Sequence, residues 1–224
     1  MLLLGKSNSD SDIDIFIGDV QDASNHIQDV LAFRKHILVD SLGWDLKVNQ
    51  GLERDEFDRP DTLHCAVKYR DKIVGSFRAI RADRPYLAAE KFAHLATNKP
   101  YPTDKNSWEI SRFVVTTGER RFQYALTTYA AMFRFSYAMQ AARLVAFSDL
   151  SHERLLSRIG IVTDRYGPPL KIGTDAAGRP VNVVSGEIPI DAQSGPRFQQ
   201  LLSHVNSLEK FDAFPLPRRS SISA

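Results

Sequence analysis

The chain has 224 residues, of which 43% are hydrophobic and 25% charged, and its formal net charge is +2. This composition is typical of a folded globular protein with one sizeable core, and so small a charge argues against a nucleic-acid partner. The single cysteine, Cys65, excludes an intramolecular disulfide and a cysteine-rich zinc site, and no apolar run approaches the ~20 residues of a membrane span. We expect a cytoplasmic protein without membrane insertion. It should form one domain over 1–214, with a mobile start at 1–12 and a disordered tail at 215–224.

The first half of the chain predicts a strand, a helix and a hairpin. Residues 13–17 predict the strand, and apolar spacing predicts a helix from Asp22 or Ser24 to Ser41. Arg34 shares the apolar stripe of this helix, where its stem could pack while its charge reaches water. The acidic connection 44–61 is typical either of a solvated loop or of a lid or binding loop. A hairpin over 62–81 follows, and then a short helix or irregular segment over 87–95.

The second half of the chain predicts three further strands and two helices after the strand 108–115. A helix should run from Glu119 to about Ala142, and its aromatic stripe predicts core packing by Phe122, Leu126, Tyr129, Phe133 and Tyr137. The remaining predicted elements are a strand at 143–148, a helix at 153–159 and strands at 169–173 and 181–190. This order predicts a mixed sheet with helices on its faces.

Two opposite charges interrupt the apolar strand 108–115. Burying Glu109 or Arg112 costs several kcal/mol unless the charge is paired, so a strand that carries both is expected to line a site. Regular alternation would place Glu109 and Ser111 on one face and Arg112 on the other. Either a β-bulge re-aims one of them or they serve two different sites.

Three arginines and three acids stand in apolar or loop contexts. They could form one polar network that holds a zwitterionic ligand, or they could be ordinary surface pairs. The six are Arg34, Arg78, Arg112, Asp55, Asp58 and Glu109. Glycine-rich nucleotide loops, a G-x-S-x-G elbow and an H-E-x-x-H motif do not occur, and the six histidines lack ligand-like spacing, so we predict no metal site.

On these residues the chain resembles the acyl-homoserine-lactone synthases of the LuxI type. The match covers roughly residues 13–190 and reproduces the order and spacing of Arg34, Trp44, Asp55, Asp58, Arg78, Glu109 and Arg112. It departs from the family at Leu38, where a phenylalanine is usual. The resemblance implies a GNAT-like three-layer α/β/α sandwich. Its mixed, mainly antiparallel central sheet would be splayed at the active-site cleft.

The resemblance also implies the synthesis of a quorum-sensing autoinducer. S-adenosylmethionine would be acylated on its amine by an acyl thioester and would then lactonise, releasing methylthioadenosine. The acyl donor would be an acyl-carrier protein or acyl-CoA. S-adenosylmethionine is thus a substrate, and no cofactor is expected.

The residue roles follow from the same resemblance. Glu109 would accept the amine proton, directly or through water, with Ser111 and Arg112 beside it. The adenosyl substrate would be held by Arg34, Leu38, Trp44, Asp55, Asp58, Arg78 and Phe113. An acyl pocket between the strand 143–148 and the long helix would be lined by Val145, Ala146, Phe147 and Ser148. The lack of a threonine there favours an unsubstituted, branched or aryl chain. A basic patch around Arg120, Arg121 and Arg143 could dock an acidic carrier.

Two other functions fit parts of the pattern. A GNAT-type N-acyltransferase would use acyl-CoA on another amine, but residues 115–121 do not match the [QR]-x-x-G-x-[GA] loop that would cradle its pyrophosphate. A non-enzymatic sensor of an adenosyl ligand would keep the aromatic loop and would not need Glu109.

Overall fold

A mixed β-sheet forms the middle layer of the molecule. The computed structural model describes residues 2–6, 12–19, 25–174, 178 and 180–205. In chain order the strands are β1 (Leu2–Lys6), β2 (Ile13–Gly18), β3 (Val48–Asn49), β4 (Leu52–Glu53), β5 (Leu63–Tyr69), β6 (Lys72–Arg81), β7 (Ser107–Val115), β8 (Arg143–Asp149), β9 (Asp164–Arg165), β10 (Leu170–Thr174) and β11 (Pro180–Pro189). Nine of them form the sheet in the order β1-β2-β5-β6-β7-β8-β11-β10, with β9 paired to β11, while β3 and β4 form a separate hairpin.

Helices cover both faces of this sheet. They are α1 (Asn25–Arg34), α2 (Leu87–Lys91), α3 (Arg121–Ala138), α4 (Leu150–Arg158) and α5 (Pro196–Leu202). A π-helix over Lys35–Ser41 continues α1, and 3-10 turns over Ala93–Leu95 and Ser203–Val205 follow α2 and α5. The main core joins α3, α4 and α5 to one face, and smaller apolar clusters join α1, the π-helix and α2 to the other. The predicted three-layer α/β/α architecture is confirmed.

Aromatic side chains fill the core between the sheet and α3. Trp108 of β7 and Phe77 of β6 both meet Phe135 of α3 edge-on, with ring centroids 5.1 and 5.9 Å apart. On the far side of α3, Phe133 contacts Phe198 of α5 at 4.7 Å. Such edge-to-face contacts add to the gain from burying apolar area. This packing fixes β6 and β7, the two strands that carry Arg78, Glu109 and Arg112, three of the six charged residues predicted for the site.

The sheet opens between β7 and β8, its one parallel pair among the described strands. Pairing covers only Ser107–Glu109 against Arg143–Val145. Both strands continue beyond it, β7 to Val115 and β8 to Asp149, so they diverge after Glu109. The backbone groups that face the opening are not used in a ladder between these strands. The sheet is therefore splayed at its centre, as the resemblance implied.

Several local predictions need correction. Part of the start predicted as mobile is the edge strand β1, because β2 offers it an open edge to pair with. The aromatic stripe of α3 is buried only in its middle: Phe122 and Tyr137, near the helix ends, are 56% and 41% exposed. The strands β3, β4 and β9 and the helix α5 were not predicted. The start of the first helix before Asn25 and the tail 215–224 lie outside the described residues.

None of the helices in the described parts of the chain is long and apolar enough to cross a membrane.

Candidate active site

A β-bulge in β7 decides where Arg112 points. Ser76 pairs with Val114 and Arg78 with Ser111. One residue of β6 and two residues of β7 lie between these pairs, so β7 carries one extra residue. At this point Arg112 has a φ of 53°, a left-handed conformation that non-glycine residues seldom adopt. The bulge turns the side chain of Arg112 to the face that also carries Glu109 and Ser111. Of the two alternatives that the sequence left open, the structure shows the bulge.

Arg34 lies where α1 changes into the π-helix, and its side chain is fully buried. Its Nε donates to Glu53 Oε2 at 2.6 Å, while Nη1 and Nη2 donate to the two oxygens of Asp58 at 2.8 and 3.1 Å. This double contact with Asp58 is the strong, directional form of an arginine–carboxylate pair. The simpler interpretation, in which Arg34 extends its charge to solvent, is wrong because the acidic connection covers it.

The connection 44–61 folds back onto the sheet instead of projecting into solvent. The β3–β4 hairpin turns the chain, and Glu53 at its end and Asp58 after it are 0% and 3% exposed. Asp58 Oδ2 also accepts the backbone N–H of Asp55 at 2.9 Å, which shapes the turn. Of the two interpretations open for this segment, a solvated loop is excluded for Glu53 and Asp58, while Glu56 and Asp61 are exposed.

Arg78 of β6 connects this loop to β7. Its Nε donates to Ser111 Oγ at 3.0 Å, and its Nη1 donates to Asp55 Oδ1 at 2.5 Å and lies 3.2 Å from Asp58 Oδ1. Arg112 reaches the same loop from the bulge, with Nη2 2.8 Å from Asp55 Oδ2 and Nε 3.1 Å from Glu53 Oε1.

These contacts form a closed ring in which every carboxylate bridges two arginines. We call it the charge ring, and its members in order are Arg34, Glu53, Arg112, Asp55, Arg78 and Asp58. Burying so many charges is tolerable only because each has partners of opposite sign. Burial alone would raise the pKa of Asp58, but Arg34 holds that pKa well below its usual range.

Glu109 lies beside the charge ring and is fully buried. Its two carboxylate oxygens accept the backbone N–H groups of Leu87 at 3.2 Å and of Ala88 at 2.6 Å, at the start of α2. Burial raises the pKa of Glu109, and the N–H of Ala88 and the charge of Arg78 oppose this rise. A carboxyl group with a raised pKa is a better proton acceptor near neutral pH.

His64 of β5 is a neutral, buried neighbour of the charge ring. It lies opposite Arg78 in the sheet, and its Nε2 is 3.7 Å from Asp58 Oδ1. Burial lowers the pKa of His64 to about 3. The charge ring itself is neutral, with three guanidinium groups and three carboxylates, so Glu109 when ionised leaves this region with one excess negative charge. The site is therefore suited to a ligand with a net positive charge.

Comparisons with known proteins assign the chain to a family. The family model described as autoinducer synthase matches residues 20–194. The acyl-homoserine-lactone synthase of Ralstonia nicotianae is 35% identical over 171 residues, covering 72% of this chain and 81% of that protein. The acyl-homoserine-lactone synthase of Acinetobacter nosocomialis is 32% identical over 151 residues, covering 63% and 82%. The chain belongs to the autoinducer synthase family. It is an acyltransferase of the acyl-homoserine-lactone synthase type.

Solved structures agree with this assignment. TofI, determined in a ternary complex with an inhibitor and MTA, is 30% identical with a TM-score of 0.68, over 83% of this synthase and 96% of that chain. BjaI, a CoA-dependent acyl-homoserine lactone synthase determined with SAM and isopentyl-CoA, has a TM-score of 0.75 over 87% and 90% at 22% identity. At that identity BjaI supports the fold alone.

Three residues predicted to hold the adenosyl substrate lie outside the charge ring of this synthase. Leu38 is buried in the π-helix and packs near Val114 of β7, behind the ring. Trp44 follows the π-helix, donates its backbone N–H to Leu38 O at 2.9 Å and is 51% exposed. Phe113 lies on the opposite face of the sheet and stacks on Tyr129 at 4.3 Å. Its assignment to the adenosyl site is a correction: the bulge turns Arg112 to one face and leaves Phe113 on the other.

The four residues predicted for the acyl pocket do not share one face of β8. Val145 packs in the cluster on the α2 side, and the ring of Phe147 meets that of Phe92 there at a tilt, with centroids 4.5 Å apart. Leu144 packs in the core with α3, so alternation places Ala146 and Ser148 on the α3 side. A pocket between β8 and the long helix can therefore include Ala146 and Ser148 but not the other two.

The three arginines predicted to form one basic patch for an acidic carrier do not lie together. Arg143 starts β8 beside Ser107 and its Nη1 lies 3.3 Å from Glu187 Oε2. Arg120 and Arg121 follow the far end of β7, so the length of that strand separates them from Arg143. Glu53 and His64 are the neighbours that the sequence did not predict. A signal for Glu53 existed, since it belongs to the acidic connection two residues before Asp55.

Proposed function

We propose that this synthase uses the charge ring to bind S-adenosylmethionine, acylates its amine from an acyl thioester and lactonises the product with release of methylthioadenosine. The observation that carries the proposal is a closed charge ring beside the divergence of β7 and β8, in a member of the autoinducer synthase family. The MTA bound to TofI supports the same product.

The charges of site and substrate are complementary. S-adenosylmethionine carries a sulfonium, an ammonium and a carboxylate, so its net charge is positive, and the region formed by the charge ring and ionised Glu109 is negative. Arg34 and Arg78 are fully buried and fix the acids. Arg112 is the one ring arginine that is partly exposed, which makes it the group that can meet the substrate carboxylate.

Glu109 takes the proton that the amine must lose before attack. Each carboxylate oxygen has two acceptor positions, so the bonds to the N–H groups of Leu87 and Ala88 leave capacity for a further proton donor. The transfer runs directly or through one water. It cancels the charge of the amine and of Glu109 together, and no isolated charge is left in a buried site.

The thioester approaches through the opening between β7 and β8. The amine nitrogen forms a bond to the thioester carbon, the carbon–sulfur bond breaks, and the carrier leaves as a thiol after taking a proton. Backbone N–H groups of β7 beyond Glu109 face this opening and could stabilise the developing oxyanion. The substrate carboxylate then attacks the carbon next to the sulfonium, and methylthioadenosine leaves with the bonding electron pair.

The adenosyl end of the substrate lies toward Trp44. This side chain is half exposed at the end of the π-helix, where a flat aromatic ligand could cover its apolar surface. S-adenosylmethionine is a substrate in this scheme, and no cofactor takes part. We propose that the enzyme works in the cytoplasm, where a single buried cysteine stays reduced.

The test compares two carriers with the same acyl chain. Purified protein is incubated with S-adenosylmethionine and either acyl-carrier protein or CoA thioesters, and methylthioadenosine is measured. Release with at least one carrier supports the proposal and identifies the donor. Acyl transfer to another amine without methylthioadenosine would indicate the N-acyltransferase alternative. Binding of S-adenosylmethionine without turnover by any donor would indicate the sensor alternative.

A further inference from the structure

A hydrogen-bonded tyrosine–histidine pair lies on the α3 side of the opening between β7 and β8. Tyr129 of α3 is 2% exposed, and its hydroxyl oxygen is 2.6 Å from His152 Nε2 on α4. Phe113 of β7 stacks on the Tyr129 ring at 4.3 Å and meets the His152 ring edge-on at 6.2 Å. The three rings therefore form one cluster that joins β7, α3 and α4.

This cluster borders the place where the acyl thioester must enter. Phe113 directly follows Arg112 in the chain, so it stands on the other side of the sheet from the charge ring. His152 follows β8 by three residues, and Asp149 fixes it there by accepting the backbone N–H groups of Ser151 and His152 at 2.7 and 2.9 Å. Phe113 thus comes from β7 and His152 from the first turn of α4, directly after β8, and the ring of Tyr129 contacts both.

The pair has one more hydrogen than its mutual bond can use. Burial lowers the pKa of His152 and raises that of Tyr129, so both side chains are neutral. A neutral imidazole has one N–H and a phenol has one O–H, and their contact consumes only one of these donors. Among the described residues, neither Tyr129 Oη nor His152 Nδ1 has another hydrogen-bond partner. Whichever tautomer is present, one donor remains.

We propose that Tyr129 and His152 are specificity-determining residues that donate this hydrogen bond to an oxygen substituent on the acyl chain. The preferred donors are then oxo- or hydroxy-acyl thioesters, and not the plain chains that the sequence of β8 favoured. His152 is partly buried, and a bound acyl chain would shield the remaining donor of the pair from water. The donor then finds an acceptor only in a substituted chain, and a plain chain leaves it unpaired. This inference rests on the proposed function and deepens it.

The test is a comparison of two donors in four proteins. Methylthioadenosine release is measured with an oxo-acyl and a plain acyl thioester of equal length, on the same carrier. The proteins are the wild type, Tyr129→Phe, His152→Leu and the double variant. Tyr129→Phe keeps the ring that stacks on Phe113 and removes only the hydroxyl. Tyr124→Phe is the matched control, because Tyr124 lies on the same helix but contacts Tyr69 of β5, away from the opening.

Preference is expressed as the ratio of kcat/KM for the oxo-acyl donor to kcat/KM for the plain donor. We expect this ratio to exceed one in the wild type and in Tyr124→Phe, and to fall about tenfold in each single variant. The ratio in the double variant should be no lower than in the single variants, because the two residues supply one hydrogen-bond donor together. A variant that misfolds would show a lower midpoint of thermal unfolding. If His152→Leu misfolds, the ratio measured for Tyr129→Phe alone tests the proposal, because this change removes only the hydroxyl group.

The measurements distinguish failure of the specificity assignment from failure of the proposed function. Suppose the wild type releases methylthioadenosine but the ratio is unchanged in both single variants, including the case in which kcat/KM falls equally for both donors. The specificity assignment is then wrong and the proposed function stands. If no donor yields methylthioadenosine, the proposed function is wrong and this inference falls with it.

Discussion

Arg112 Nε donates to Glu53 Oε1 at 3.1 Å, and this contact closes the charge ring. Glu53 is held on its other oxygen by Arg34 at 2.6 Å, so it is the only carboxylate joining the helix arginine to the bulge arginine among the described residues. The ring arginine that is partly exposed to ligand is thus aligned by an acid on a separate hairpin. This arrangement makes the acidic loop a part of substrate binding, and it leads to the first prediction.

Glu53→Gln should raise the KM for S-adenosylmethionine about tenfold with a smaller effect on kcat. The amide keeps the shape of the side chain but replaces one acceptor by a donor, so one of the two arginines loses its partner. Initial rates of methylthioadenosine release at several substrate concentrations measure this. Glu56→Gln is the control, because Glu56 is an exposed neighbour that pairs with Lys91. A KM that does not change would show that the ring does not align Arg112.

Glu109→Gln should lower kcat about 100-fold or more, because it removes the proton acceptor. Its amide oxygen can still accept the N–H of Ala88, so the start of α2 should persist and a circular dichroism spectrum should be unchanged. Glu90→Gln, an exposed change on α2 itself, should leave the rate as it was. Turnover of Glu109→Gln within threefold of the wild type would exclude Glu109 as the base.

Asp58→Ala should lower the free energy of unfolding by about 3–5 kcal/mol. The change leaves Arg34 with one carboxylate partner and removes the near contact of Arg78, and both guanidinium groups stay fully buried. Urea unfolding followed by fluorescence measures this loss. Asp61→Ala is the control in the same loop, since the Asp61 side chain is half exposed. Equal stability of the two variants would contradict the account of the ring as a buried, paired network.

Stability should fall as the pH is lowered below about 6.5, the ordinary pKa of histidine. His64 in the folded protein has a pKa of about 3, so between these values the unfolded chain binds one proton that the folded chain does not. The free energy of unfolding then decreases by up to about 1.4 kcal/mol per pH unit through this group. From about pH 4 downward, the ordinary pKa of an aspartate, Asp58 adds to the loss, because its pKa is lowered in the folded protein and the unfolded chain takes up the proton first.

Urea unfolding at pH 6, 5.5 and 5 measures this slope. His64→Gln should make this slope smaller, since glutamine does not titrate, and the lowered pKa of His152 leaves a remainder. His36→Gln should leave the slope unchanged, because His36 is exposed on the π-helix. The same slope in His64→Gln and the wild type would show that another group causes the pH dependence.

The sequence predicted the fold class and the elements with strong periodicity. The hairpin of β5 and β6 was predicted to within a residue or two, because alternation and its turn are local signals. The short strands β3 and β9 were not, because strands of two residues have no periodicity to detect. The helix α5 has only seven residues and so lacks a clear periodicity, although Pro196 in its first turn is a typical start signal.

The sequence predicted which residues belong to the site better than it predicted which of them pair with one another. Arg34, Arg78 and Arg112 attract attention because charges in apolar segments are costly. The pairing of Arg34 and Arg112 with Glu53 depends on how the connection folds back, over 19 and 59 residues of chain, and no local pattern encodes such separations. The faces of Phe113, Val145 and Phe147 depend on the bulge and on the exact register of β8. A one-residue change in register reverses every face.

The measurement that tests the central claim most directly is product stoichiometry with labelled substrate. S-adenosylmethionine labelled with carbon-13 in its amino-acid carbons is incubated with the protein and the acyl thioester that gives turnover, and both products are quantified by mass spectrometry. The account predicts labelled acyl-homoserine lactone and unlabelled methylthioadenosine in equal amounts. An acylated product that keeps the adenosyl group, or consumption of the thioester without a labelled lactone, would contradict it.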